Sequence, residues 1–207
     1  MAKLSVKLKR SGKTNNHPKS VGMKVVLRRR VLAAIPDARV FDAFAGAGKM
    51  YSAVWHAAAA YTGCDLRWYR DARTMFVARC ERVMRAIDLA EFNVFDFDAY
   101  GSPWLPVQIL AARRRLAPGE RIGLILTDGS GLRLKLGQCP KSLAKLCGLN
   151  NATTPGINRV HDMLIDKALA ETCRLMCARI VAQWRHHRPG QSDMKYLSLI
   201  LEGVADQ

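Results

Sequence analysis

Three acidic residues of this sequence stand where chemistry is usually done in proteins that alternate strands and helices. Asp42, Asp65 and Asp98 each follow a short segment, largely apolar, that is typical of a buried strand. A small-residue turn follows Asp42, and Tyr100 comes soon after Asp98. Ligands of open α/β sheets bind beyond the carboxyl ends of the strands, so we expect these side chains to meet at one edge of a sheet.

The turn after Asp42 has the composition of a ligand-binding loop. Gly46 and Gly48 allow a tight turn and a close approach of the backbone to a ligand, and residues 49–60 predict a helix over that ligand. A second strand follows and ends at Asp65, a position where an acid accepts hydrogen bonds from a ribose hydroxyl. Tyr51 replaces the further glycine of phosphate-binding loops, which disfavours a pyrophosphate cofactor. Taken singly, the glycines also fit an ordinary turn and Asp65 a helix cap.

Strand, glycine turn, helix, strand and acid together resemble the class I S-adenosylmethionine-dependent methyltransferases. The resemblance implies an α/β fold of the Rossmann-like class, with a mostly parallel seven-stranded sheet closed by a C-terminal antiparallel hairpin. It also implies S-adenosyl-L-methionine as the cofactor, with an acid near residue 88 meeting the adenine. The cofactor-binding residues implied in this way are Asp42, Phe44, Gly46, Gly48, Asp65 and Asp88.

The segment 92–104 is a second constellation, an apolar strand with acids at its end and a tight turn after it. It resembles motif IV of the amino-methyltransferases that act on nucleic acids. Its run 96–103 is most similar to the Asp-x-Asp-Pro-aromatic-Gly-Ser-Pro signature of the tRNA guanine-N2 dimethyltransferases. Ala99 stands where that signature has proline, which makes the loop less rigid and leaves the target base open.

The chemistry that these residues suggest is methylation of an exocyclic amine on a nucleobase. The lone pair of such an amine is delocalised, so we expect Asp98 to accept its N–H bond and to take up the proton as the methyl group arrives. Tyr100 would stack on the base, an interaction of roughly 1–3 kcal/mol. Correct positioning of the methyl donor and the amine supplies most of the rate of such a methyl displacement, and the reaction needs no metal. The plainer alternatives are a helix cap for Asp98 and a core position for Tyr100.

Composition indicates the partner. The chain has 33 Lys and Arg against 17 Asp and Glu, a formal charge of +16, which is typical of a nucleic-acid-binding protein. The alternative is that basic faces only keep the chain in solution. The cations fall into three clusters: the N-terminal segment before Asp37, the run 113–115, and a third cluster that contains Arg133, Lys135, Lys141 and Lys145. We predict contact with RNA or DNA, tRNA favoured, through the clustered cations Lys13, Lys19, Arg28, Arg29, Arg30, Arg133 and Lys135.

The 207 residues predict a flexible basic arm over 1–20 and a single methyltransferase domain over 21–207. No apolar run is long enough to span a membrane and no signal-peptide core follows the first lysines, so a cytoplasmic protein is expected. The six cysteines are scattered and predict reduced core thiols. A zinc site is a minor alternative because the sequence lacks a tight Cys-x-x-Cys pair; its ligands would be Cys173, Cys177, His186 and His187.

Residue patterns predict helices over 21–35, 71–87, 104–116, 141–148 and 158–177, a strand over 121–127, and hairpin strands over 178–184 and 196–201 with a turn at 188–191. The third strand is hard to place and is sought between residues 80 and 92. A different class of function stays open, a binding module with a methyltransferase fold and no activity. A small molecule or a protein as the substrate stays open too.

Overall fold

A seven-stranded sheet forms the framework of the computed structural model, which describes residues 18–150, 156–187 and 194–205. The strands are β1 (Arg39–Asp42), β2 (Ala60–Asp65), β3 (Met75–Val77), β4 (Val94–Phe97), β5 (Arg121–Asp128), β6 (Ala178–His187) and β7 (Lys195–Gly203). Their order across the sheet is β3-β2-β1-β4-β5-β7-β6. Strands β1 to β5 are parallel, and β7 is antiparallel to both of its neighbours, β5 and β6. The predicted fold class is therefore confirmed.

Helices cover both faces of this sheet. Along β1 and β4 successive side chains point to opposite faces, so Val40 and Val94 join one apolar cluster whereas Phe41 and Phe95 join another. Helix α1 packs on the first of these faces, and α3, α4, α6 and α7 contribute to the second. The helices are α1 (Pro18–Ala34), α2 (Lys49–Ala53), α3 (Cys80–Ala86), α4 (Trp104–Arg113), α5 (Gly131–Lys135), α6 (Lys141–Leu146) and α7 (His161–Met176).

The helix predicted over 71–87 is wrong in its first half. Met75–Val77 is the third strand, β3, and the helix begins only at Cys80. The apolar residues of β3 continue at helical spacing into α3, which is why one amphipathic helix was predicted. β3 is also a short edge strand whose side chains are half-buried or exposed, so it lacks the run of buried residues that marks the inner strands. A loop over 66–74, without a crossover helix, joins β2 to β3.

Two other boundaries differ from the prediction. The helix expected over 49–60 ends at Ala53, and a 3₁₀ turn (Trp55–Ala57) follows because the Trp55 side chain is drawn into the core. The described part of helix α1 already includes Pro18, which lies inside the segment assigned to the flexible arm. Residues 1–17, with Lys13, and the turn at 188–191 lie outside the described residues.

The C-terminal half follows its predicted pattern closely. The strand expected over 121–127 is β5, and the hairpin strands are β6 and β7, each somewhat longer than expected. Both Gly123 and Ile200, which pair across β5 and β7, lie in the middle of the sheet. Of the helices in the described part of the chain, none is both long and apolar enough to cross a membrane.

Candidate active site

The glycine turn between β1 and α2 is fixed from two sides. The backbone N–H of Gly46 donates to Asp65 Oδ2 at 3.0 Å, so the acid at the end of β2 lies beside the turn as predicted. From the other side Arg73 donates to the Gly46 carbonyl at 2.8 Å and to the Ala45 carbonyl at 3.3 Å. Asp71 holds that guanidinium at 2.6 Å. The sequence prediction missed Arg73 because it lay within the helix expected over 71–87.

A cavity of about 330 Å³ opens at the carboxyl ends of β1 and β4. It brings together six predicted site residues, and α1, the loop before β3 and the start of β7 supply further lining from Val21, Tyr69 and Met194. The predicted residues that line it are Arg28, Asp42, Phe44, Gly46, Asp98 and Tyr100.

Gly48 does not line this cavity and has a packing role. Its φ is +79°, in the left-handed region, where it caps the start of α2. A Cβ atom at this position would lie 2.9 Å from the Arg73 guanidinium carbon. Gly48 therefore supports the turn from behind, whereas Gly46, with φ +47°, faces open space.

Two of the predicted cofactor acids, Asp65 and Asp88, do not line the cavity, and Asp88 lies away from the glycine turn as well. Its exposed carboxylate accepts the N–H of Ala90 at 2.8 Å and caps a 3₁₀ turn (Leu89–Glu91), and it does not line the cavity within the described residues. The assignment to the adenine was wrong because the third strand was sought too late in the sequence. The first acid after β3 is Glu81, which lines a groove that shares Phe44 with the cavity.

A buried charge network joins α1 to the end of β4. Arg28 donates to Asp96 through both Nε and Nη2, at 2.6 and 2.7 Å, and its Nη2 also reaches Asp98 Oδ2 at 3.2 Å. Lys24 Nζ donates to Asp98 Oδ1 at 2.6 Å. The indole N–H of Trp55 donates to Asp96 Oδ2 at 2.8 Å. Helix α1 is thus tied to the strand end that carries the candidate catalytic acid.

Arg28 lines the cavity but is buried in this network, so its predicted contact with nucleic acid finds no support in its exposure. Its side chain is 1% exposed. Burial alone would lower the pKa of Arg28, but the charges of Asp96 and Asp98 outweigh this effect and raise the pKa, so the guanidinium stays charged. The sequence showed only three consecutive arginines on a basic helix, and their helical spacing turns the first inward while Arg29 and Arg30 stay exposed.

The same network determines how Asp98 can act. Burial would raise the pKa of Asp98, yet Arg28 and Lys24 outweigh it and hold the pKa below its usual value. Asp98 is 15% exposed at the cavity and is ionised at neutral pH. An ionised carboxylate still accepts hydrogen bonds, but a lowered pKa makes it a weak proton acceptor, so uptake of the proton, expected from the sequence, is disfavoured.

Asp42 lies in the opposite electrostatic situation. Burial and the neighbouring charge of Asp96 raise the pKa of Asp42 to about 8, although Arg28 opposes the shift. Its oxygens accept the Tyr61 hydroxyl at 3.0 Å and the Phe44 N–H at 3.2 Å. The raised pKa favours the protonated form of Asp42, and a cation bound in the cavity would favour release of that proton.

Tyr100 stands at the mouth of the cavity and is 82% exposed, which excludes a core position. Its loop is held from β5, because the N–H of Gly129 donates to the Gly101 carbonyl at 2.5 Å. The acid that ends β5, Asp128, is buried and accepts the Trp104 indole N–H at 2.8 Å. His161 Nε2 lies 3.0 Å from the same carboxylate. These contacts fix the loop that presents the Tyr100 ring.

Comparison with known proteins places this arrangement in a recognised fold. Trm1 from Pyrococcus horikoshii in complex with S-adenosyl-L-methionine superposes over 90% of this chain with a TM-score of 0.57 and 15% identity. The fold is that of the S-adenosylmethionine-dependent methyltransferases. This chain spans 56% of that Trm1 chain. No protein-family model matches the chain, and no curated protein matches it either.

Two further solved structures share this methyltransferase fold. One is the N-methyltransferase NodS from Bradyrhizobium japonicum with S-adenosyl-l-homocysteine, at TM-score 0.52, 10% identity and coverage of 92% of this chain and 90% of NodS. The other is the 1,6-didemethyltoxoflavin-N1-methyltransferase of Burkholderia thailandensis, at TM-score 0.50, 15% identity and coverage of 91% and 83%.

The remaining predicted cations lie outside the cavity of the methyltransferase fold. Arg29 and Arg30 are exposed on α1, and the Arg30 guanidinium lies 5.8 Å from the centre of the Trp184 ring. Arg133 and Lys135 are exposed on α5. The side chain of Lys19 lies outside the described ones.

The minor alternative of a zinc site finds no support. Cys173 is buried, and Cys177 ends α7 in a left-handed conformation. Within residues 18–150, 156–187 and 194–205, no three His, Cys, Asp or Glu side chains form a group that could hold a metal.

Proposed function

We propose that this chain transfers a methyl group from S-adenosyl-L-methionine to an exocyclic amine of a nucleobase in nucleic acid, with tRNA favoured. One observation carries the proposal. The ionised carboxylate of Asp98 and the exposed ring of Tyr100 lie at the mouth of the cavity that the glycine turn lines. A hydrogen-bond acceptor beside an aromatic ring is the combination that a flipped nucleobase requires.

The cavity suits the proposed cofactor. A Cβ atom on Gly46 would meet only the Phe44 carbonyl, at 3.9 Å, so the space that the glycine leaves open is available to a ligand. Asp42 and Gly46 line this space, and Asp65 stands behind the turn. S-adenosyl-L-methionine supplies a methyl group on a positively charged sulfur. Asp42 and Asp98 are the acids that line the cavity, and a positive ligand would interact favourably with Asp98 and favour release of the Asp42 proton.

Asp98 acts in this proposal by orientation and charge. An amine that donates to its carboxylate has its lone pair directed away from the acid, and the positive charge that develops on the nitrogen is stabilised by the negative oxygen. S-adenosyl-L-homocysteine leaves as the methyl group arrives, and the nitrogen then loses its extra proton to solvent. Lys24 donates to Asp98 Oδ1 at 2.6 Å and Arg28 donates to Oδ2 at 3.2 Å, so a bound base must share one of these oxygens with a cation or displace that cation. Tyr100 would hold the base by stacking.

The nucleic-acid part of the proposal rests on charge and on related proteins. A formal charge of +16 on 207 residues favours a polyanionic partner. NodS, similar in fold, is an N-methyltransferase. Trm1 covers 90% of this chain at low identity, and its sequence extends well beyond it. The alternative, a binding module without activity, is favoured by one residue, Ala99, in place of the proline of the related signature.

The raised pKa of Asp42 predicts a pH dependence of cofactor binding. A group with a raised pKa in the free protein must lose its proton to meet a cation, so affinity should rise with pH from 6 to 7.5, by up to about tenfold per unit, because the pKa is about 8. Titration calorimetry with S-adenosyl-L-methionine measures this slope. Asp42→Asn should flatten it, and 5′-methylthioadenosine, which has no positive charge, should show no slope with the parent. A flat profile for the parent would contradict the assignment.

Methyl transfer itself tests the function. The chain would be incubated with tritiated S-adenosyl-L-methionine and, separately, with unmodified tRNA, other RNA, genomic DNA and free nucleosides. We expect label in nucleic acid, most strongly in tRNA, and digestion followed by mass spectrometry should locate the methyl group on an exocyclic nitrogen. Label on a ring nitrogen or an oxygen would refute the amine mechanism. Binding of the cofactor with no transfer to any of these acceptors would favour the inactive module.

A further inference from the structure

A second concave surface adjoins the active site and has a different character. This groove, of about 570 Å³, shares Phe44, Ala99 and Tyr100 with the cofactor cavity and runs away from it between α4 and α6. We call it the α4–α6 groove; its far end is lined by Leu105, Gln108, Arg133, Lys141, Ser142 and Lys145. It begins at the Tyr100 ring, so a chain whose base enters the cavity there would continue into it.

The far end of the groove is cationic. Arg133, Lys141 and Lys145 are all exposed, and in the part of the chain that the structure describes none of them forms an ion pair. The one acid of the lining, Glu81, has the Arg79 guanidinium 3.8 Å from its carboxylate. Three cations that no carboxylate neutralises are available to an anionic ligand.

The floor of the groove combines apolar and polar surface. Tyr100 and Leu105 are 82% and 37% exposed, and Ser102, Gln108 and Ser142 are half-buried side chains with hydrogen-bonding groups. A single nucleic-acid strand needs both surfaces, apolar or aromatic faces for its bases and cations for its phosphates. An acidic peptide would use the cations but gain little from an exposed tyrosine ring at the entrance to a cavity.

We propose that the α4–α6 groove binds the single-stranded segment next to the target nucleotide, with its bases on the Tyr100 and Leu105 side and its phosphates on Arg133, Lys141 and Lys145. The inference rests on the proposed function and deepens it, because it makes an unpaired strand, and not a duplex, the form of nucleic acid that is recognised. Single-stranded RNA and single-stranded DNA present the same bases and phosphates to this groove, so the proposal covers both.

Binding of labelled oligonucleotides tests the groove without requiring methyl transfer. The probes are fluorescein-labelled strands of about a dozen nucleotides as RNA, as DNA and as RNA duplex, with polyglutamate as an acidic polymer, titrated over a range of salt. The test variant replaces Arg133, Lys141 and Lys145 by glutamine. A matched control replaces Arg39, Arg82 and Arg121 by glutamine as well. These three arginines are exposed and lie outside the groove.

We expect the groove variant to bind single strands about tenfold to hundredfold more weakly, with a salt slope shallower by about 2, because each phosphate contact contributes roughly 0.7 to the slope. The control variant should change little. Comparing RNA with DNA identifies which strand is preferred. An equal loss in both variants, tighter binding of the duplex, or tighter binding of polyglutamate would each overturn the proposal.

Protection of lysines in the parent chain is a second measurement that needs no variant. With bound single strand, acetylation of Lys141 should fall several-fold while that of Lys167, exposed on α7 outside the groove, stays constant. Equal acetylation of Lys141 with and without the strand would also overturn the proposal. Failure of methyl transfer with intact protection would refute the proposed function alone, and transfer without protection would refute the groove alone.

Discussion

Asp98→Asn is expected to reduce methyl transfer by about 10²–10³-fold and to leave cofactor binding nearly unchanged. The amide keeps an acceptor oxygen beside Lys24 and Arg28 but removes the negative charge that stabilises a nitrogen becoming positive. Single-turnover transfer of tritiated methyl groups measures the loss, and calorimetry with S-adenosyl-L-homocysteine serves as the check on binding. Transfer at the parental rate would rule out Asp98 as the acid that holds the amine.

The pH profile separates the role of charge from that of a proton acceptor. Lys24 and Arg28 lower the pKa of Asp98, so the carboxylate is ionised throughout the neutral range and its contribution to transfer should be lost only as the pH falls through that lowered pKa. Lys24→Met removes one of the two cations and should move the acid limb of the rate profile upward. An acid limb that stays in place would mean that Lys24 does not tune Asp98.

Much of the scaffold of the site could be predicted because it depends on local patterns. The buried ends of β1 and β4 and the glycine turn appear in the sequence as apolar runs followed by acids and small residues. Parallel strands bring such carboxyl ends to one edge, which is why Asp42, Gly46 and Asp98 meet in one cavity. The antiparallel hairpin was also visible, because both of its strands are long.

The features that could not be predicted from the sequence depend on contacts between residues far apart in the chain. Nothing local distinguishes Arg28 from Arg29, and only the docking of α1 on the sheet buries the first against Asp96, which is 68 residues away in sequence. Arg73 reaches the glycine turn across 27 residues. β3 lies at the sheet edge, where few of its side chains are buried, so its strand character was hidden beside α3. The wrong position of β3 then led to the wrong assignment of Asp88.

Arg28→Met is expected to lower the free energy of unfolding by about 3–5 kcal/mol, because it leaves Asp96 buried without its bidentate partner. For a chain of 207 residues this corresponds to a fall in melting temperature of roughly 6–20 °C. Thermal and urea unfolding followed by circular dichroism measure both quantities. The matched control is Arg29→Met, whose side chain is exposed one position along the same helix, and it should change stability by less than about 0.5 kcal/mol.

The double variant Arg28→Met with Asp96→Asn distinguishes an ion pair from a packing effect. If the cost of Arg28→Met comes from an uncompensated charge, neutralising Asp96 should recover part of it, and the amide oxygen can still accept the Trp55 indole N–H. If the cost came only from lost packing of the long side chain, the two substitutions would add. A stable Arg28→Met variant with weakened nucleic-acid binding would instead return Arg28 to the surface role expected from its sequence. Because Arg28 also contacts Asp98, at 3.2 Å, the folding of α1 and the placement of the candidate catalytic acid depend on the same side chain.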